Sequence, residues 1–135
     1  MHSIIDELRF MLPPFHAKLF GENMGGVRVD MSQLVLSGHS FGGITAVVAA
    51  ARLPEHIGLK AVQVLDPWFY AYEGELKSGE LKVRCPLQIV NTEMFHPNVK
   101  LNGFDSWGAT KAVCNNTLAK GSVENVTILK TGHVN

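Results

Sequence analysis

The stretch QLVLSGHSFGG, residues 33–43, decides the fold of this chain. Its first half is a short apolar run of the kind that forms a buried strand. A Gly-x-Ser-x-Gly motif follows at once, and the small, mostly apolar residues 41–52 predict a helix that ends before Pro54. A serine between a strand and a helix is the setting of a nucleophile elbow, so we predict that Ser40 is a nucleophile.

The neighbours of Ser40 fit a turn that is too tight for ordinary side chains. We expect Gly38 and Gly42 to be needed because side chains two residues from the serine would collide. The amide of Phe41, at the start of the helix, is expected to face the substrate oxygen as one oxyanion donor. His39 lies inside the elbow and cannot reach back to Ser40, which predicts a packing or hydrogen-bonding role.

The rest of the sequence alternates short apolar runs with a helical pattern. The predicted elements are strands at 60–66, 86–91 and 123–130 and a helix at 107–120. This alternation predicts an α/β fold with a mostly parallel sheet and helices on both faces. The length suits a single domain over residues 1–135, with a leading helix and loop at 1–29 and the elbow-to-histidine part at 30–135.

A nucleophilic serine needs a base, and in this kind of site the chain order is serine, acid, histidine. His133 follows the last predicted strand. His96 is the competitor, but it precedes Pro97 and would leave the fourth strand without a role. The sequence therefore favours His133 as the base.

The orienting acid has three candidates, which are Asp66, Glu93 and Asp105. Asp66 ends the second predicted strand, at the edge where the sites of parallel sheets assemble, and Pro67 forces a turn directly after it. Glu93 follows the third strand in a similar way. The residues alone favour Asp66 but leave Glu93 open.

Four motifs in the same order resemble the platelet-activating factor acetylhydrolase family, the plasma and intracellular type II enzymes also called group VII phospholipases. They are GHSFGG at 38–43, LDPW at 65–68, PLQIVNTEMF at 86–95 and GHVN at 132–135. The resemblance runs from about Asp30 to the last residue, with Val134 in place of the family's usual residue.

The resemblance implies a role for each of the candidate residues. It makes Ser40 the nucleophile, Asp66 the acid and His133 the base, and it makes Glu93 structural. Trp68 and Phe69 would wall the acyl pocket, and the alternative is that they are core aromatics.

The resemblance also implies an activity, which is hydrolysis of an acetyl or a short or oxidised acyl ester at the middle (sn-2) position of a glycerophospholipid. The substrate would be met at a membrane or lipoprotein surface. Two alternatives stay open: a general carboxylesterase or dienelactone hydrolase-like enzyme, and an inactive fragment of an α/β-hydrolase.

The chain resembles only the C-terminal catalytic half of such an enzyme. In this fold several strands precede the nucleophile strand, and an earlier loop supplies the second oxyanion amide. Because residues 1–32 are predicted to form one helix and a loop, we expect a partial α/β-hydrolase fold.

Composition excludes several other classes of function. The formal net charge is zero, so nothing indicates a nucleic-acid partner. Cys85 and Cys114 lack the spacing of a zinc site, and with no H-E-x-x-H motif or phosphate loop we expect no metal and no organic cofactor. The N-terminus has no signal-peptide pattern and no apolar run is long enough for a transmembrane segment, which favours a cytoplasmic location.

Overall fold

The computed structural model of this chain describes residues 31–95, 105–119 and 122–133. It contains a four-stranded sheet in which each strand pairs in parallel with the next one along the chain. The strands are β1 Val35–His39, β2 Ala61–Leu65, β3 Leu87–Thr92 and β4 Val123–Ile128. The predicted parallel α/β sheet is confirmed.

Among the described residues, three α-helices accompany these strands, namely α1 Phe41–Arg52, α2 Glu73–Ser78 and α3 Ser106–Asn116. The first matches its predicted bounds, the second was not predicted, and the third ends before the predicted residue 120. Residue 33 lies in a short 3-10 turn, so β1 begins two residues later than the apolar run suggests. None of the described helices combines the length and hydrophobicity of a membrane span.

The chain divides between Gln33 and Leu34 into two units. All four strands and the three helices belong to the second unit, Leu34–Asn135. The leading helix and loop predicted at 1–29 lie outside the described residues.

The hydrophobic core lies on one face of the sheet. Val62 pairs with Leu87 and Val64 with Ile89, so these four side chains point the same way, and each is at most 1% exposed. They pack in one cluster with buried residues of all three helices, which are Ile44, Val47, Leu76, Ala109 and Val113. Burial of side chains of this size stabilises a fold by about 1.5–3 kcal/mol each.

The opposite face of the sheet differs from the prediction of helices on both sides. Gln63, Gln88 and Glu124 form a hydrogen-bonded row across β2, β3 and β4, at 2.8 and 2.9 Å. Apolar side chains in the other rows of this face, Val35, Leu65, Val126 and Ile128, are 38–51% exposed. Within the described ranges the helices cover one face only, because all three contribute to the same core cluster.

Candidate active site

The turn between β1 and α1 holds Ser40 in a strained backbone conformation, with φ 55° and ψ −120°. Such conformations cost roughly 1–3 kcal/mol and persist only where the surroundings enforce them. Here the end of β2 does so: the Ser40 N–H donates to the Leu65 carbonyl at 2.9 Å, and the Ser40 carbonyl accepts from the Trp68 N–H at 3.0 Å. The elbow is therefore fixed to the neighbouring strand.

Only one of the two motif glycines is required by its described surroundings. A Cβ on Gly38 would lie 2.2 Å from the Gly42 carbonyl oxygen, which no side chain can tolerate. A Cβ on Gly42 would meet nothing within 4 Å among the described residues, so the collision expected at Gly42 does not occur with these residues. Gly43 is the second tight position, since its Cβ would approach Pro67 at 3.1 Å.

Gly38→Ala and Gly42→Ala should therefore have opposite outcomes. Gly38→Ala should destabilise the protein by at least the roughly 1–3 kcal/mol typical of overpacking, because its Cβ meets backbone that cannot rotate away. Gly42→Ala, inside α1, should leave stability unchanged or raise it by up to about 1 kcal/mol, as expected for Gly-to-Ala in a helix. Urea unfolding of both variants checks this, and an equal loss for the two would contradict the steric argument.

The side chain of Asp66 is buried at the carboxyl end of β2, with 0% exposure and φ 44°. Its Oδ1 accepts the Thr92 N–H at 2.6 Å, and its Oδ2 accepts the Thr92 hydroxyl at 2.8 Å. Burying a carboxylate is costly unless it is hydrogen-bonded. Thr92, at the end of the adjacent strand, supplies those bonds and fixes the direction of the carboxylate.

His133 joins the acid to the serine. Its Nε2 lies 2.9 Å from Ser40 Oγ, and its Nδ1 lies 3.1 Å from Asp66 Oδ2. The His39 and Phe95 rings contact the imidazole, with centroid distances of 4.5 and 4.7 Å. His39 Nε2 is also 3.2 Å from the His133 carbonyl oxygen. The three predicted residues thus form one continuous hydrogen-bonded row with the geometry of a serine triad.

The family model described as "Platelet-activating factor acetylhydrolase, isoform II" matches residues 20–127 of this chain. The chain belongs to the platelet-activating factor acetylhydrolase, isoform II, family. The matched residues include Ser40 and Asp66, and His133 lies just beyond them. The family that the four sequence motifs indicated is confirmed.

Solved structures show the same fold. The crystal structure of the enterobactin esterase FES from Shigella flexneri superposes with a TM-score of 0.59 at 17% identity, and covers 93% of this chain and 32% of that chain. That of the enterochelin esterase from Shigella flexneri gives 0.58 at 16% identity, over 93% and 31%. This chain spans about a third of the length of either protein. At this level of identity the likeness shows the α/β-hydrolase fold.

In this acetylhydrolase-family chain, the other two candidate acids have hydrogen-bond partners other than His133. Glu93 Oε2 accepts the Lys130 N–H at 2.6 Å. Asp105 caps α3, where its side chain accepts the Gly108 N–H at 2.9 Å. His96, the competing base, lies outside the described residues.

Trp68 and Phe69, the two aromatic residues expected to line the acyl pocket, have different surroundings in the structure. Trp68 is half-buried, meets Phe41 edge-on at 6.3 Å and stacks on Tyr70 at 6.1 Å. Phe41 is 57% exposed, so these three rings form an accessible aromatic rim beside Ser40. Phe69 is 0% exposed and packs in the hydrophobic core, which fits the alternative interpretation of a core aromatic.

Three side chains of the site also have the chemistry of metal ligands. One ligand atom each from His39, Asp66 and His133 lie within 4.8 Å of one another. These groups are already engaged in the hydrogen bonds given above, so we interpret the cluster as part of the triad network. The absence of a metal cofactor stays a prediction.

The surroundings of the two cysteines disfavour the thiolate form. Both are free thiols, and burial raises the pKa of Cys85 and of Cys114. The thiolate is the reactive form of cysteine, so a raised pKa lowers its reactivity. The raised pKa values therefore give no support to either cysteine as a nucleophile.

Proposed function

We propose that this protein is a serine carboxylic-ester hydrolase that releases an acetyl or short acyl group from the sn-2 position of a glycerophospholipid. The observation that carries the proposal is the row Ser40–His133–Asp66, with distances of 2.9 and 3.1 Å. Membership of the platelet-activating factor acetylhydrolase family supports the choice of substrate.

The reaction begins when Ser40 Oγ attacks the ester carbonyl and its proton passes to His133 Nε2. Asp66 accepts a hydrogen bond from Nδ1–H, which keeps Nε2 free to take that proton and stabilises the imidazolium. The negative charge that develops on the carbonyl oxygen lies near the N-terminus of α1. The Phe41 N–H, the first of that helix, has no partner within the helix and serves as one oxyanion donor.

Collapse of the tetrahedral intermediate breaks the ester bond. The leaving alkoxide of the lysophospholipid takes the proton from His133, and the acyl group stays on Ser40. Water then attacks the acyl-enzyme and gives its proton to His133, and Ser40 leaves with that proton. The products are a carboxylic acid and a lysophospholipid.

The aromatic rim of Phe41, Trp68 and Tyr70 suits a substrate that is partly apolar. Rings with exposed faces beside a nucleophile can bury part of an acyl or alkyl chain, since burial of apolar area is favourable by about 25 cal/mol per Å². The same rim supports a site that works at the surface of a membrane or lipoprotein.

The decisive experiment compares three esters on the purified protein: an acetylated ether phospholipid, the same lipid with a long saturated sn-2 chain, and nitrophenyl acetate. We expect kcat/KM for the acetylated lipid to exceed that for the long-chain lipid by at least about tenfold, which is within the range that pocket size alone can supply. Activity confined to nitrophenyl acetate would instead favour the general carboxylesterase. Inertness to all three esters would support the inactive fragment.

A further inference from the structure

Three consecutive residues after β3 hold the loop that carries His133. We define the histidine loop as residues 129–133. The Glu93 carboxylate accepts the Lys130 N–H at 2.6 Å, and the Met94 N–H donates to the Thr131 carbonyl at 3.2 Å. The Phe95 ring stacks on the His133 imidazole at 4.7 Å with an interplanar angle of 20°.

The bond from Glu93 closes a strained turn. Lys130 has φ 59°, and a lysine reaches this left-handed region only at a cost in free energy. The Glu93 N–H also donates to the Ile128 carbonyl at 3.0 Å, so one residue binds the loop on both sides of Leu129. A hydrogen bond from a backbone N–H to a carboxylate is about twice as strong as a neutral one and offsets the unfavourable φ.

The histidine loop has little burial to hold it in place. Leu129 is 68% exposed, Lys130 is exposed, and residues 131–133 are half-buried. Its position therefore depends on its polar contacts, and a displacement moves His133 Nε2 away from Ser40 Oγ. A misplacement of about 1 Å in a reacting group can lower the rate by about 10²-fold.

We propose that Glu93 is a positioning residue whose carboxylate holds the histidine loop, and so holds His133 at hydrogen-bonding distance from Ser40. This inference rests on the proposed function, because it concerns the same triad. It differs from the idea that Glu93 is the orienting acid, since its carboxylate binds Lys130 and the acid position beside His133 Nδ1 is occupied by Asp66.

The test compares Glu93→Ala with Glu93→Gln, which keeps an acceptor oxygen at the same distance from the backbone. We expect Glu93→Ala to lower kcat by about 10²-fold with KM within about twofold of wild type. Glu93→Gln should retain kcat within about fivefold, because an amide oxygen can still accept the Lys130 N–H. Circular dichroism and thermal unfolding verify that both variants are folded at the assay temperature.

Each contrary result overturns the inference. The inference is wrong if kcat of Glu93→Ala stays within threefold of the wild-type value. It is also wrong if Glu93→Gln is as slow as Glu93→Ala, or if Glu93→Ala changes KM alone. If Glu93→Ala does not fold, Glu93→Asp replaces it, because aspartate is shorter by one methylene and places its carboxylate farther from Lys130. We expect kcat of Glu93→Asp to fall at least about fivefold. Full activity of Glu93→Asp would overturn the inference. An inactive wild-type protein would overturn the proposed function itself, whereas an active Glu93→Ala protein would overturn only this inference.

Discussion

Replacing Ser40 with alanine should remove essentially all ester hydrolysis and all labelling by a fluorophosphonate probe. The alanine has no oxygen to attack the carbonyl, and the imidazole of His133 then has no partner from which to take a proton. Loss of a triad serine lowers kcat by on the order of 10⁶-fold, because the remaining groups can only assist attack by water. Because the Cβ is retained, the elbow backbone should keep its conformation.

A matched control for this variant lies in the same strand. Ser37 is an exposed serine of β1, and Ser37→Ala should leave both activity and labelling at wild-type levels. Mass spectrometry of the labelled wild-type protein should place the probe on Ser40. A label on any other residue, or labelling that survives in Ser40→Ala, would show that the nucleophile is assigned wrongly.

Asp66→Asn should lower kcat by about 10³–10⁴-fold while the protein stays folded. Asparagine can direct its NH₂ group at His133 Nδ1, which stabilises the tautomer that carries its proton on Nε2. That tautomer cannot accept the proton of Ser40. Because Asp66 is 0% exposed and Thr92 fixes its direction, water cannot easily replace the lost carboxylate.

Two other acid-to-amide variants serve as controls for the loss of kcat in Asp66→Asn. Asp105→Asn should leave kcat unchanged, since asparagine caps a helix as well as aspartate does. Glu93→Gln should cost far less than Asp66→Asn, because its role needs an acceptor oxygen rather than a charge beside His133. A loss at Glu93→Gln larger than that at Asp66→Asn would make Glu93 the acid.

Much of this site follows from the sequence because its key residues end strands. The motif of residues 38–42 predicts one strand end, Asp66 lies at the end of a second apolar run, and His133 lies in the loop after the last one. Parallel strands bring such positions to one edge of the sheet. The pairing of β2 with β3 aligns Leu65 with Val90 and brings Thr92 close to Asp66.

The parts that the sequence did not reveal depend on packing between distant segments. No local pattern marks Thr92 as the partner of Asp66, or Phe95 and His39 as neighbours of the His133 ring, because these contacts join residues 26 to 94 positions apart. The different surroundings of Gly38 and Gly42 among the described residues have no local signature either. A motif shows that a glycine is present, but only the surrounding atoms show whether a side chain would fit.

Strained backbone is concentrated around the proposed triad. Among the described residues, the non-glycine positions with positive φ are Ser40, Asp66 and Lys130. Ser40 and Asp66 are the proposed nucleophile and acid, and Lys130 lies in the histidine loop, three residues before His133. Each is held by hydrogen bonds from a neighbouring strand or its end, so the sheet supplies the stability that these conformations cost.

The order of the strands also has a consequence for how the molecule acquires its reactivity. Because β1, β2, β3 and β4 lie side by side in chain order, β1 and β4 lie at opposite edges of the described sheet. Ser40 follows the first of these strands, and its proton acceptor follows the fourth. Under the proposed function, Ser40 therefore gains its base only after β4 has joined the sheet.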